Sequence, residues 1–131
     1  SISQYSTAGR NRPVPWRKPQ TSREGSPLRL FVEERPEGVR VWCAGELEAR
    51  DCRSLQTTLR SLRYYGRPVI IDVGGVINPD IRAAAALAGQ IRRLREAGLP
   101  ALLAAVDGEL RETFELIGCD DVLGREGPDL V

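Results

Sequence analysis

The first regular pattern of apolar and polar positions begins at Leu28. Residues 28–34 (LRLFVEE) alternate between the two classes, which is the pattern of a strand with one buried face. Pro36 and Gly38 then occupy the second and fourth positions of a tight turn, and residues 39–44 (VRVWCA) have strand character again. The pattern therefore predicts an antiparallel hairpin at the start of the patterned region.

A helical period replaces the alternation over residues 51–65. The apolar residues there are spaced by three, four and three positions and form one stripe: Cys52, Leu55, Leu59 and Leu62. Gly66 follows, and glycine is the favoured residue just past a helix end. The spacing predicts a helix whose apolar stripe packs on the sheet.

A second, longer helix is predicted between Asn78 and Ala97. Asn78 is a good cap, Pro79 fits the first turn, and Asp80 is favourable beside the positive end of the helix dipole. Its polar residues fall largely outside the apolar stripe: Arg82, Gln90, Arg92, Arg93 and Arg95. The arginines among them are either a solvated face or a docking surface for an acidic partner.

Short apolar runs between the helices predict further strands. They are residues 68–73 (PVIIDV) and 99–106 (LPALLAAV), with a last short strand at 122–123 that follows a short helix capped by Asp107. Strands that alternate with helices require right-handed crossovers in a parallel sheet. The predicted fold class is α/β, with a mostly parallel central sheet of about five strands, an antiparallel first strand, and helices packed on the sheet.

Charge and composition divide the chain into unlike parts. The net charge of +1 is an average, because residues 1–27 hold five basic residues against one acidic and the remainder holds 14 basic against 17 acidic. Residues 1–27 are also rich in proline and lack apolar periodicity, so a disordered basic arm is predicted there. The predicted domain covers residues 28–124, and residues 125–131 are predicted to be a short C-terminal tail.

The residue types present argue against catalysis and metal binding. The chain has no histidine, and its three cysteines form no CxxC pair, so no metal, cofactor or enzymatic activity is expected. Gly74-Gly75 lacks the ending of a phosphate loop and is instead predicted to be a tight strand-to-helix turn. No apolar run is long enough for a membrane helix, and a cytoplasmic location without membrane contact is expected. Nucleic-acid binding is expected only through the basic arm.

Four segments within residues 28–123 resemble the STAS domain of bacterial anti-anti-sigma factors. They are Gly45-Glu46-Leu47-Glu48 after the second strand, the strand Val69-Ile70-Ile71-Asp72-Val73, the long helix that ends at Ala97-Gly98, and residues 110–119. The resemblance implies a regulatory module that binds an anti-sigma factor, often a Ser/Thr kinase, and is switched off when that kinase phosphorylates it. It further implies a partner surface formed by Glu48, Asn78, Asp80, Ile81 and Arg82.

The chain departs from the family pattern at the phosphorylation motif. Alignment without a gap from Gly98 places the motif on residues 80–83, with Asp80 on the conserved acid and Arg82 on the phosphoacceptor. An arginine does not accept a phosphoryl group by this route, so no phosphosite is predicted. If Asn78 caps the helix, the switch loop is shorter and stiffer than in the family. A homodimer remains an alternative, as does a degenerate module that acts as a scaffold or senses an anion, nucleotide or lipid through Arg82.

Overall fold

Five strands form one sheet in the computed structural model, which describes residues 2–6 and 25–123, and they lie in the sheet in chain order. The strands are β1 (Ile2–Ser6), β2 (Arg29–Arg35), β3 (Gly38–Glu46), β4 (Val69–Ile77) and β5 (Ala101–Ala104). The pairings β1–β2 and β2–β3 are antiparallel, and the pairings β3–β4 and β4–β5 are parallel. The predicted α/β class is confirmed, because the antiparallel strand β2 precedes the parallel strands β3, β4 and β5. Strand β1 adds a second antiparallel pairing.

Three helices accompany the sheet: α1 (Cys52–Ser61), α2 (Ile81–Glu96) and α3 (Gly108–Leu116). Since β3, β4 and β5 are neighbours in chain order, right-handed crossovers place α1 and α2 on the same face of the sheet, where they pack against each other. The hydrophobic core lies between this face and the helices, with Leu59, Ile71 and Ile91 completely buried. Among the described residues, no helix combines the length and hydrophobicity needed to cross a bilayer.

Strand β1 occurs within residues 1–27, where the sequence predicted a disordered arm. Residues 2–6 pair along β2, with Tyr5 opposite Leu30 in the register. An unpaired strand edge offers a row of backbone donors and acceptors to any extended segment, and this attraction does not depend on apolar periodicity. Residue 1 and residues 7–24 of the predicted arm lie outside the described residues, as does the predicted tail (residues 125–131), so the predicted domain boundaries remain predictions.

The helix ends follow the local chemistry of the sequence at two places. Gly66 has φ of 64° and caps the short 3-10 helix Leu62–Tyr65 that continues α1. The Asp107 carboxylate accepts a hydrogen bond from the Leu110 N–H at 2.8 Å and begins α3 as predicted. Both predictions are confirmed, since each depends on residues within a single turn.

Two predicted elements are wrong. Residues 122–123 lie in a 3-10 helix, Asp120–Leu123, rather than in a strand. Gly74 and Gly75 lie inside β4 rather than in a strand-to-helix turn. A Cβ on Gly75 would come within 2.8 Å of the Ala44 Cβ on the paired strand, so the glycine permits close approach of two strands rather than a change of direction.

The face of the sheet opposite α1 and α2 has a row of linked polar side chains. Arg40 on β3 donates from Nη2 to the Asp72 Oδ2 on β4 at 2.8 Å, and Asp72 Oδ1 accepts from the Gly74 N–H at 2.9 Å. The Arg40 guanidinium also lies over the Trp42 ring, 4.4 Å from its centroid. Asp72 is only 7% exposed, so its charge depends on these donors in place of water.

Cys43 is predicted to be inert among the three unpaired cysteines, Cys43, Cys52 and Cys119. Burial in the core, with a smaller contribution from the charge of Asp72, raises the pKa of Cys43 to about 12. Because the thiolate is the reactive form, iodoacetamide at pH 8 should label half-buried Cys52 in the folded protein and leave Cys43 unlabelled. Peptide mass mapping checks this result, with a urea-unfolded sample as the control in which Cys43 reacts. Equal labelling of both cysteines in the folded protein would contradict it.

Candidate functional site

The ends of β3 and β4 and the beginning of α2 meet at one edge of the sheet. Glu46 pairs with Ile77 in the parallel register, and the Asp80 N–H donates to the Leu47 carbonyl at 2.7 Å. Loops that follow parallel strands emerge at the same sheet edge, which is where α/β folds place their binding residues. We call this region the strand-end site and define it as residues 45–51 and 77–82.

Gly45 holds the strand-end site against the segment that precedes β2. Its φ is 115°, and a Cβ there would collide with the carbonyl of Pro27 and lie 2.9 Å from the Leu28 Cα. The next residue, Glu46, donates its N–H to the Ser26 carbonyl at 2.9 Å. Only glycine satisfies both the backbone conformation and the close approach.

Asn78 does not cap α2, so that prediction is wrong. The cap is Asp80, whose backbone is extended and whose Oδ1 accepts from the Arg82 N–H at 2.8 Å and the Ala83 N–H at 3.4 Å. Asn78 has φ of 47°, and its Nδ2 donates to the Glu46 Oε2 at 2.8 Å. Asparagine tolerates this left-handed conformation well, so it forms a turn that joins the two loops.

The position of the cap also corrects the predicted switch loop. Because Asp80 rather than Asn78 begins the helix, α2 starts at Ile81, and the loop is not shortened by two residues. The Asn78–Glu46 hydrogen bond connects this loop, which follows β4, to the end of β3. The role of Glu46 as the acceptor for Asn78 was not predicted, because it depends on strand register.

Glu48 lies in a separate turn of the strand-end site. Its N–H donates to the Asp51 Oδ2 at 2.9 Å, and its carboxylate forms an ion pair with Arg50. Asp51 is 1% exposed, and its role as the anchor of the 3-10 helix Ala49–Asp51 was not predicted. The spacing of Glu48 and Asp51 is that of a capping box, which is the signal that could have revealed it. Within the described chain, Glu48 forms no hydrogen bond or ion pair with the other four predicted site residues.

Ile81 and Arg82 are the outward-facing residues at the start of α2. Ile81 is 51% exposed, and the Arg82 side chain is 78% exposed. The Arg82 Nε lies 3.6 Å from the Asp80 Oδ1, a loose contact on the surface. The site therefore presents an apolar side chain and a cation on a helix end that Asp80 caps.

In the described part of the chain, no cluster of three or more cysteine, aspartate or glutamate residues could hold a metal ion. Elsewhere on α2, Arg92 pairs with Asp121 through two hydrogen bonds of 2.9 and 2.6 Å, and the hydrogen bond from Arg92 lowers the pKa of Asp121. Arg95 donates to the carbonyl of Ala101 at 3.0 Å. Two of the four arginines predicted as a stripe therefore attach α2 to neighbouring segments.

Comparison with known proteins identifies similar sequences and folds. Residues 30–125 match the family model described as Mlab, STAS domain, which covers more than half of the chain. The anti-sigma factor antagonist SpoIIAA in its unphosphorylated form is similar with a TM-score of 0.61 and 13% identity, over 77% of this chain and 90% of SpoIIAA. The structure of Mglu is similar with a TM-score of 0.54 and 21% identity, over 59% of this chain and 19% of Mglu. At these identities both likenesses concern the fold, and no curated protein matched the chain.

Proposed function

The chain belongs to the STAS domain family, as its motifs predicted, and on that premise we propose that it is a non-catalytic regulatory module that binds an anti-sigma factor. The observation that supports this proposal best is the exposed pair Ile81–Arg82 at a helix end that Asp80 caps. An apolar anchor beside a cation suits a protein partner with an apolar pocket and an acidic rim. In this proposal the module takes part in partner switching in bacterial transcription regulation.

The proposed module is not switched by phosphorylation at the usual position. Arg82 occupies the place of the phosphoacceptor, and its side chain is exposed with a fixed positive charge. Phosphorylation would replace an uncharged hydroxyl with about −2 charges, whereas Arg82 keeps the partner surface in one electrostatic state. Binding would then be controlled by the amounts of the two proteins.

The cellular setting is part of the same proposal. Three unpaired cysteines suit a reducing compartment, which supports a cytoplasmic location. A kinase-type anti-sigma factor is the proposed partner, because the family resemblance implies one. A homodimer remains an alternative that sedimentation of the purified chain would detect.

Substitutions at the strand-end site test the proposal. We expect Ile81→Ser and Arg82→Glu each to weaken binding to a kinase-type anti-sigma factor of the source organism by about tenfold or more, because each removes a central contact. Isothermal titration calorimetry measures the change. Leu116→Ser is the matched control, because Leu116 is a 75% exposed apolar residue on α3, outside the strand-end site. Equal losses at Ile81 and Leu116 would contradict the assignment of the surface.

Incubation with the same partner and ATP tests the absence of the switch. The intact mass of the chain should remain unchanged, while Arg82→Ser restores a hydroxyl at the acceptor position and serves as the comparison. A stoichiometric phosphate on the unaltered chain would refute the unswitched form of the proposal without affecting the binding surface.

The alternative of an anion sensor at Arg82 gains no support from the geometry. The carboxylate of Asp80 already accepts the N–H groups of Arg82 and Ala83, which are the groups that an anion at a helix N-terminus would use. An anion there would also meet the negative charge of Asp80. Nucleic-acid binding by the basic arm concerns residues that lie mostly outside the described chain and remains a prediction.

A further inference from the structure

A small cleft lies between the ends of α1 and α2, away from the strand-end site. It has a volume of about 30 Å³. Its lining combines three basic side chains, one amide and one apolar residue: Arg60, Arg63, Arg93, Gln90 and Leu94. A space of this size holds a few water molecules, or one small ionic group whose remainder stays outside.

The three arginines of the cleft have no carboxylate partner. Arg60, Arg63 and Arg93 are exposed, and none of them forms an ion pair within the described chain. This distinguishes them from Arg92 and Arg95, which hold α2 to its neighbours. Basic residues in the last turn of a helix also complement its dipole, but that dipole amounts to about half a negative charge. Three full positive charges exceed what two helix ends neutralise.

Gln90 supplies an independent observation. The sequence placed it on the polar side of α2, yet it is only 4% exposed and lines the cleft beside Arg93. Within the described chain its amide forms no hydrogen bond with another residue. Among the described residues, Arg40 Nε is the one buried side-chain nitrogen or oxygen without a partner, so the Gln90 amide is accessible from the cleft and can bind a ligand or a water molecule there.

We propose that this cleft binds a phosphoryl group of a phosphate monoester. Three guanidinium groups and one amide offer more donors and charge than the two oxygens and single charge of a carboxylate can use. A phosphoryl dianion presents three oxygens and up to two charges, which matches the cleft more closely. The rest of the ligand would lie over the exposed surface beside Tyr64, which the Arg63 guanidinium contacts at 5.6 Å from the ring centroid.

Titration of the full-length chain with inorganic phosphate at constant ionic strength tests the proposal. The side-chain amide signal of Gln90 should shift in NMR spectra and saturate, while acetate at the same ionic strength leaves it unchanged. We expect Arg60→Gln and Arg93→Gln each to weaken phosphate binding by about tenfold, the loss typical of one charge-assisted hydrogen bond. Arg53→Gln is the matched control on the exposed surface of α1 and should alter the affinity less than about twofold.

A second variant and a comparison of lipid vesicles complete the experiment. Gln90→Leu should keep the fold, because apolar residues suit its buried position, and should weaken binding if the amide contacts the ligand. Vesicles with phosphatidic acid, compared with phosphatidylcholine alone, distinguish a lipid phosphate from a soluble one. Equal effects of Arg53→Gln and Arg93→Gln, or binding of acetate as tight as phosphate, would overturn the proposal.

Discussion

Replacing Gly45 with alanine is expected to destabilise the fold by about 3–5 kcal/mol, because two penalties add at one position. The φ of 115° is strained for any residue with a Cβ, and the new methyl group would collide with the backbone of Pro27 and Leu28. Backbone atoms cannot rotate away as a flexible side chain does. The pairing of Glu46 with Ser26 should therefore be lost with the stability.

Urea denaturation of the Gly45→Ala variant measures the change in the free energy of unfolding. Gly89→Ala is the matched control, because Gly89 lies inside α2 and a Cβ there would meet nothing within 4 Å. Alanine is the better helix former, so the control should gain about 0.5–1 kcal/mol. A loss at Gly45 smaller than about 1 kcal/mol would show that the segment before β2 is not packed as described.

Removing Arg40 should destabilise the protein by about 3 kcal/mol, because it leaves the carboxylate of Asp72 buried with too few donors. Arg40 is the cationic partner of Asp72, and among the described residues the Gly74 N–H is the remaining donor to Asp72 when the guanidinium is absent. The variant Arg40→Met preserves much of the aliphatic side chain and isolates the loss of charge. Contact with the Trp42 ring is lost as well, which adds a smaller amount.

A double-mutant cycle separates the ion pair from these other effects. Asp72→Asn removes the negative charge, so the double variant Arg40→Met/Asp72→Asn should recover most of the stability lost by Arg40→Met. The exposed pair Arg92–Asp121 is the control, and Arg92→Met and Asp121→Asn should each lower the free energy of unfolding by no more than about 1 kcal/mol. If the double variant is no more stable than Arg40→Met, the two residues do not act as a pair.

Much of the fold could be predicted because it depends on periodicity over a few turns. The apolar stripe through Leu55 and Leu59 predicted α1, and the alternation from Leu28 predicted β2, since both patterns report which side chains become buried. The failures have a different cause. Strand β1 depends on the open edge of β2, and the glycines of β4 depend on the closeness of Ala44, so neither has a local signal.

The candidate site was only partly predictable for the same reason. The sequence singled out Asp80 and Arg82 through the family motif, but it chose Asn78 as the helix cap because asparagine and aspartate are both good caps. The choice between them is made by strand register, which places Asn78 beside Glu46 and leaves Asp80 at the helix start. Local propensity makes both Asn78 and Asp80 candidate caps of α2, whereas contact with the neighbouring strand leaves Asp80 as the cap.

The sequence by itself determined the α/β class and the family. These follow from residue types and spacings along the chain, which require no knowledge of distant contacts. Only the tertiary structure decided that Gln90 is buried in an arginine-lined cleft and that Asp72 depends on Arg40. Burial and pairing of polar groups depend on segments far apart in sequence, because the free energy of a charge or amide depends on what replaces its water.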